Sequence, residues 1–434
     1  MRSSILRPSR SSLATRLLRS VRRALPAAMI AAAALAGAVP ALASQVQIRG
    51  TEILVDGRPF VPNGAAAEGR LSELKALGAN VVRTYGQEPG PILDAAQRAG
   101  LKVIVGFWMG HPRRGFDYGN RRAVEAQLDD LRHMVERYRS HPALLMWGIG
   151  NEVEVDLPPA QAMAVWPAIE EAARLTKTLD GQHPVMAAVA EVGGDKAALL
   201  HRLAPSVDVL GINGYGDGLL SAVGRARAQG WNGPIVLSEM GAQGHWDSPR
   251  APWGAPLEPT SSRKADRMRA YLAAARGDGA GAIPLLWGHK QEVTPTWYSL
   301  LLPSGEWTET VEVMADAWGG RVPGAPNRAP RIRSLAFNGP ASFPADQGAA
   351  VTLWASDPDG DPVQVEWQVM AESTVRSVGG DPEPVPPSFP EALKGASPQG
   401  VRIGGLAPGH YRIFAVARDG RGAAATGNLP FEVR

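Results

Sequence analysis

The chain of 434 residues contains no cysteine. That absence excludes a disulfide framework, a thiolate nucleophile, a sulfur-ligated metal site and a lipidated amino-terminal cysteine. Acidic residues are missing from residues 1–43, which hold seven arginines, the apolar run AAMIAAAALAGAV and then the small-x-small triplet Ala41-Leu42-Ala43. This pattern predicts a removable export signal, with the mature chain beginning near Ser44; the run is too short and too alanine-rich for a comfortable membrane anchor. Arg22-Arg23 ahead of it is compatible with a twin-arginine export route. The remainder lacks any cluster of lysine or arginine. Seven of the 45 basic residues and none of the 42 acidic ones fall in the leader, so residues 44–434 carry a net charge of −4. A mildly acidic body without a positive footprint argues against nucleic acid as a partner. His111, His133, His141, His245 and His289 do not fall at metal-ligand spacing, so neither a metal centre nor a cofactor is expected.

From residue 60 to about 291, strand-like apolar runs alternate with helix-like periodicity. The runs are FVPNGAA (60–66), ANVVRTYG (79–86), LKVIVGFWM (101–109), LLMWGIGNE (144–152), HPVMAAVAE (183–191), VDVLGINGYG (207–216), PIVLSEMG (234–241) and IPLLWGHKQ (283–291). Between two of them, Val124, Leu128, Leu131, Val135 and Tyr138 recur at the spacing of one helix face, predicting a helix over 120–139. Nearly continuous apolar strands suit a parallel sheet buried on both faces. Eight of them joined by helices is the count that closes a (β/α)8 TIM barrel, here expected over 44–320. An open doubly wound sheet is the competitor, but no glycine-rich phosphate loop follows the first run.

After Gly319 a proline- and glycine-rich linker (321–326) leads to strand-like runs separated by turns, predicting a small all-β immunoglobulin-like sandwich over 327–434. GGDPEPVPPSFPEALKGASPQG within it reads as a long surface loop. Asp357, Asp359 and Asp361 in DPDGDP read as a turn, with a calcium-binding run as the alternative.

Active sites of such barrels form at the carboxyl ends of the strands. The fourth run ends in Gly150-Asn151-Glu152 and the seventh in Ser238-Glu239. Two glutamates brought there from opposite sides can divide the roles of acid and nucleophile in glycosidic cleavage. Trp108, Trp246, Trp253, Trp287, Trp297 and Tyr85 crowd the same rim, as a cleft packing on the C–H faces of sugars would require, while Trp147 lies mid-strand and reads as core.

At HPALLMWGIGNEVE and GPIVLSEMG the chain resembles glycoside hydrolase clan A, the first stretch being similar to the fourth-strand signature of family 2 enzymes such as β-glucuronidases. LGANVVRTYG and DAAQRAGLKVIVGF also look like family 2 and the family 72 β-1,3-glucanosyltransferases. The resemblance spans roughly residues 50–318. It implies Glu152 as acid/base, Glu239 as nucleophile, Asn151 as donor to the sugar 2-hydroxyl, and Arg83 as the arginine that orients the nucleophile. It places Tyr215 beside the nucleophile and Trp287 under the cleaved sugar. Tyr85 and Trp108 complete the expected sugar-binding set. The stretch Asn213-Gly214-Tyr215 departs from several clan families, which carry histidine two residues before the tyrosine. The amino-terminal sugar-binding sandwich of family 2 is not expected, since the barrel pattern begins directly after the leader. A retaining hydrolase of a β-linked, β-glucan-like oligo- or polysaccharide is therefore the expectation. Transglycosylation and non-catalytic saccharide binding are the alternatives.

Overall fold

The computed structural model describes residues 44–86, 88–375, 380–381 and 383–434. The export leader read in residues 1–43 lies outside them. The described chain opens with an antiparallel hairpin, β1 (Val46–Arg49) and β2 (Glu52–Val55), extended by the short β3 (Arg58–Pro59). Eight parallel strands follow: β4 (Gly64–Ala66), β5 (Val81–Arg83), β6 (Lys102–Phe107), β7 (Leu144–Asn151), β8 (Val185–Ala190), β9 (Val209–Tyr215), β10 (Ile235–Gly241) and β11 (Gly281–Pro284). They lie side by side in chain order, and the parallel bridges Asn63–Ala282 and Ala67–Trp287 join the first strand to the last. This is a nearly closed (β/α)8 barrel.

All eight strand-like runs of the sequence contribute a strand. In the last, the strand spans Gly281–Pro284; beyond Pro284, which has no N–H, the Leu285 amide still donates to Met240 O and the Trp287 amide to Ala66 O before the chain leaves the sheet. The helix predicted over 120–139 spans Arg121–Tyr138; the Asn120 side chain caps it by accepting from the Ala123 amide, and Val124, Leu128, Leu131, Val135 and Tyr138 are buried.

Val46 and Ile53 of the hairpin pack with Val81, Ile104, Met146, Met186, Val209, Val236 and Ile283. Several of these barrel residues are the first or second of their strands, so the hairpin plugs the amino end of the barrel. The open, polar end is therefore the carboxyl one.

Eight further strands form two four-stranded sheets: β12 (Arg331–Phe337), β13 (Ser342–Phe343), β14 (Ala349–Ser356), β15 (Gln364–Ala371), β16 (Leu393–Ser397), β17 (Gly400–Ile403), β18 (Gly409–Arg418) and β19 (Ala424–Val433). The sheet orders are β12-β14-β17-β16 and β13-β19-β18-β15. Ile332, Val351, Leu353, Trp367, Ile413 and Phe431 fill the space between them. The stretch read as one surface loop contains β16, a strand exposed along most of its length. It pairs through its backbone with β17 and has no apolar alternation to announce it. DPDGD is a turn in which the Asp359 and Asp361 amides donate to Asp357 Oδ1. The three carboxylates lie within 4.8 Å of one another, the one cluster of that kind among the described residues.

Sandwich and barrel share a polar seam. The Ile332 amide donates to Ser262 Oγ (3.0 Å), the Thr426 amide to Ser261 Oγ (2.8 Å), and Asn428 Nδ2 to Glu258 Oε2 (2.6 Å). Arg331 pairs with Glu309 at 2.9 Å and Asp266 at 2.7 Å. No described helix is long and apolar enough to cross a membrane.

Candidate active site

Strand β7 is buried through Gly150 and carries Asn151 and Glu152 to the barrel rim. The chain turns there in left-handed backbone, with φ 75° at Gly150 and 51° at Glu152. At Gly150 any Cβ would also lie 2.8 Å from Val153 Cγ2, so only glycine fits. For glutamate the same backbone region costs roughly 1–2 kcal/mol. The Glu152 amide is satisfied by Ala188 O at 2.9 Å.

Strand β10 is buried along its whole length and delivers Glu239, which is 7% exposed. Three donors converge on this carboxylate: Tyr85 Oη (2.9 Å) and Arg83 Nη1 (3.2 Å) to Oε1, and Tyr215 Oη (2.7 Å) to Oε2. Burial, the largest cause, and the charge of Glu239 push both phenols well above their ordinary pKa. They therefore stay protonated and donate.

Arg83, at the end of β5, also donates from Nη1 to Ser238 O (2.6 Å) and from Nη2 to Asn151 Oδ1 (2.7 Å). Asn213 on β9 completes the mesh. Its Nδ2 donates to Glu152 Oε1 (2.8 Å) and Asn151 Oδ1 (2.9 Å), while its Oδ1 accepts from Ser238 Oγ (2.8 Å) and Arg83 Nη1 (3.2 Å). One arginine and one asparagine thus tie both glutamates into a single network. Because Asn151 Oδ1 accepts twice, its amide NH2 is the end left to face a ligand.

Burial, and secondarily the Glu239 charge, raise the Glu152 pKa to about 7; the Asn213 hydrogen bond and the more distant Arg113 only partly offset them. At neutral pH a large fraction of Glu152 is protonated, facing a carboxylate held by an arginine. Two carboxyls with opposed environments are the arrangement that divides acid from nucleophile.

Both open into one cleft of about 750 Å³, also lined by Tyr85, Trp108, Asn151, Tyr215 and Trp246. Trp246 is half exposed and meets Tyr215 edge-on (5.3 Å, 78°). Trp108 stacks on His111 (4.9 Å, 21°). Burial, then Arg113 and Arg114, lower the His111 pKa to about 4, so its ring is neutral.

The structure does not bring Trp287 to this cleft. It is 3% exposed within the barrel core and donates from Nε1 to Arg70 O (3.3 Å). The bridge to Ala67 that closes the barrel runs through Trp287 itself. The exposed aromatic face in the cleft belongs to Trp246 instead. Trp297 is also buried, and Trp147 is core, with its indole on Asp180 Oδ2 (2.8 Å). Glu154, next but one to Glu152, accepts from the Ala190 amide (2.8 Å) and pairs with Lys196 (3.1 Å), away from the cleft lining.

Sequence reasoning passed over Asn213, although a polar residue inside an apolar strand, two before a rim tyrosine, was a usable sign. It also passed over Arg113, and over the reach of the sandwich. Gly380 lines the cleft, its carbonyl accepting from Lys290 Nζ (2.7 Å), and Glu383 Oε2 accepts from the Val293 amide (2.7 Å). No local pattern announces contacts between segments 90 residues apart.

Residues 72–215 match the family described as glycosyl hydrolases family 2, TIM barrel domain. The chain is similar to the β-glucuronidase of Chlorocebus aethiops, 26% identical over 234 residues, covering 46% of this chain and 33% of that protein. It is also similar to a β-galactosidase of Bacteroides ovatus, 35% identical over 113 residues, covering 25% and 13%. The solved β-D-glucuronidase of Dictyoglomus thermophilum superposes with a TM-score of 0.51 at 19% identity, covering 64% of this chain and 54% of that one. The solved FMN-binding β-glucuronidase of Faecalibacterium prausnitzii superposes with a TM-score of 0.51 at 14% identity, covering 90% of this chain and 59% of that one. The chain thus spans 13–59% of the length of these relatives, less than two thirds in each case. The likeness is to a clan A barrel of the family 2 type, and the solved structures carry it at the level of fold.

Proposed function

We propose that this chain is a retaining β-glycoside hydrolase. The observation that carries this reading is the pairing, across one cleft, of a carboxyl held protonated near neutrality with a carboxylate that accepts from Arg83, Tyr85 and Tyr215. In the first step Glu239 attacks the anomeric carbon as Glu152 passes its proton to the departing oxygen. In the second, Glu152, now ionised, takes a proton from the water that releases the sugar from Glu239. Asn151 offers its amide to the 2-hydroxyl, and Arg83 holds Glu239 and Asn151 in register.

The substrate of this reading is a neutral, β-glucan-like oligo- or polysaccharide. Glu68, Asp156, Glu191, Asp247 and Glu292 line the cleft beside the pair, against Arg113 and Lys290. That surplus of negative charge supports a neutral sugar over a uronate, which it would repel. Export to the periplasm or beyond is the companion proposal, supported by the basic, apolar and small-x-small order of residues 1–43. The intact mass of the protein secreted by its source cells checks it, and an unprocessed mass rejects it.

Separate Glu152→Gln and Glu239→Gln variants are expected to lose on the order of 10²–10⁴-fold in kcat on β-1,3- or β-1,4-linked glucotriose, with melting temperatures near wild type. A 2-deoxy-2-fluoro-β-glucoside is expected to label Glu239, as peptide mass would locate. Unchanged turnover in either variant rejects that residue's role.

A further inference from the structure

The loop after β6 carries a side chain two of whose nitrogens meet no acceptor among the described residues. Arg113, in the 3-10 turn Pro112–Arg114, lines the cleft together with Glu152. Its Nε and Nη2 are buried without a hydrogen-bond partner among the described residues. Its neighbour Arg114 is committed elsewhere, pairing with Asp381 at 2.5 Å and lying over the Trp108 ring at 5.3 Å. Buried guanidinium N–H groups left unmet, here at Nε and Nη2 of a half-buried side chain, are costly unless a ligand supplies acceptors.

Two features say which part of a ligand that is. Arg113 follows β6, which pairs with β7, the strand that carries Glu152 to the rim, whereas Glu239 comes from β10, three strands beyond β7 in the barrel. Arg113 therefore stands on the acid's side of the scissile bond, where the leaving group departs. Glu68, Asp156, Glu191, Asp247 and Glu292 line the same cleft and would repel an anion, so what its N–H groups lack is uncharged acceptor oxygens.

We propose that Arg113 builds the subsite for the leaving-group sugar, donating from Nε and Nη2 to hydroxyl or ring oxygens of a neutral, β-linked residue. The proposal rests on the hydrolase reading and names the part of the substrate that reading leaves open. It makes a β-linked oligosaccharide, rather than a glycoside with any aglycone, the substrate that fits.

The test compares Arg113→Met and Arg113→Lys with wild type on β-1,3- and β-1,4-linked glucotrioses and on 4-nitrophenyl β-D-glucoside, whose aglycone carries no hydroxyl. Arg113→Met is expected to lower kcat/KM on the preferred trisaccharide at least tenfold through KM, and to change the nitrophenyl glucoside less than threefold. Arg113→Lys is expected to fall between them. The nitrophenyl rate also reports that the variant is folded. Equal loss on both substrates, loss confined to kcat, or no loss overturns the subsite. Should wild type turn over none of them, the hydrolase reading fails by itself, and calorimetric titration of both glucotrioses into wild type and Arg113→Met decides the subsite. Weaker binding to the variant upholds it; equal binding, or none to wild type, overturns it.

Discussion

Glu152 combines three unfavourable circumstances: a left-handed backbone, a buried carboxyl and a second carboxylate in the same cleft. Burial first, and then the second carboxylate, hold its proton to about pH 7. The catalytic consequence has a definite sign. In the proposed mechanism the protonated form is the competent acid, so kcat/KM on glucotriose is expected to fall as pH rises through about 7. A pH–rate profile checks this, and a basic limb already descending near the ordinary carboxyl range of about 4 would contradict it. The stability consequence has the same direction. A folded-state pKa above the unfolded one contributes stability below the unfolded value, and that contribution is lost as pH rises through the folded value.

At the scale of elements, the site depends on neighbouring strands approaching closely. Gly241 of β10 pairs in register with Tyr215 of β9. A Cβ at Gly241 would lie 2.1 Å from Tyr215 Cδ1, so that glycine is what lets the phenol reach Glu239 at 2.7 Å. Gly241→Ala is expected to displace Tyr215 and lower kcat roughly ten- to a hundredfold. Tyr215→Phe should lower kcat in the same direction without the steric change, and full activity in Gly241→Ala would show that the phenol's position is not critical. The hairpin β1–β2 acts at the same scale: by filling the amino end of the barrel it leaves the strand carboxyl ends as the open surface.

At the scale of the molecule, the sandwich is joined to the barrel by buried polar groups. Glu309 is 4% exposed, and burial raises its pKa to about 7 even though Arg331 of β12 lies 2.9 Å away. In the unfolded chain it would release its proton near 4.5. Its contribution to stability is therefore complete below pH 4.5 and lost as pH rises through 7, an effect on the order of 2 kcal/mol. Glu309→Gln, neutral throughout, is expected to flatten the dependence of melting temperature on pH between 5 and 8. Parallel curves for variant and wild type would refute that account. The sandwich also supplies Gly380 to the cleft wall, so the two parts line one cleft.

Periodicity and residue type in the sequence suffice for eight buried strands with helices between them, and for two glutamates at the ends of the fourth and seventh. Those properties are local, since burial on both faces of a parallel strand leaves its mark in consecutive residues. Asn213 as the link between the carboxyls, Trp287 in the core with Trp246 in the cleft, the unmet donors of Arg113 and the contact of Gly380 with Lys290 are not legible that way. Each depends on which way a side chain turns, or on segments distant in the chain meeting in space. Only the closed barrel and the sandwich packed against it decide that.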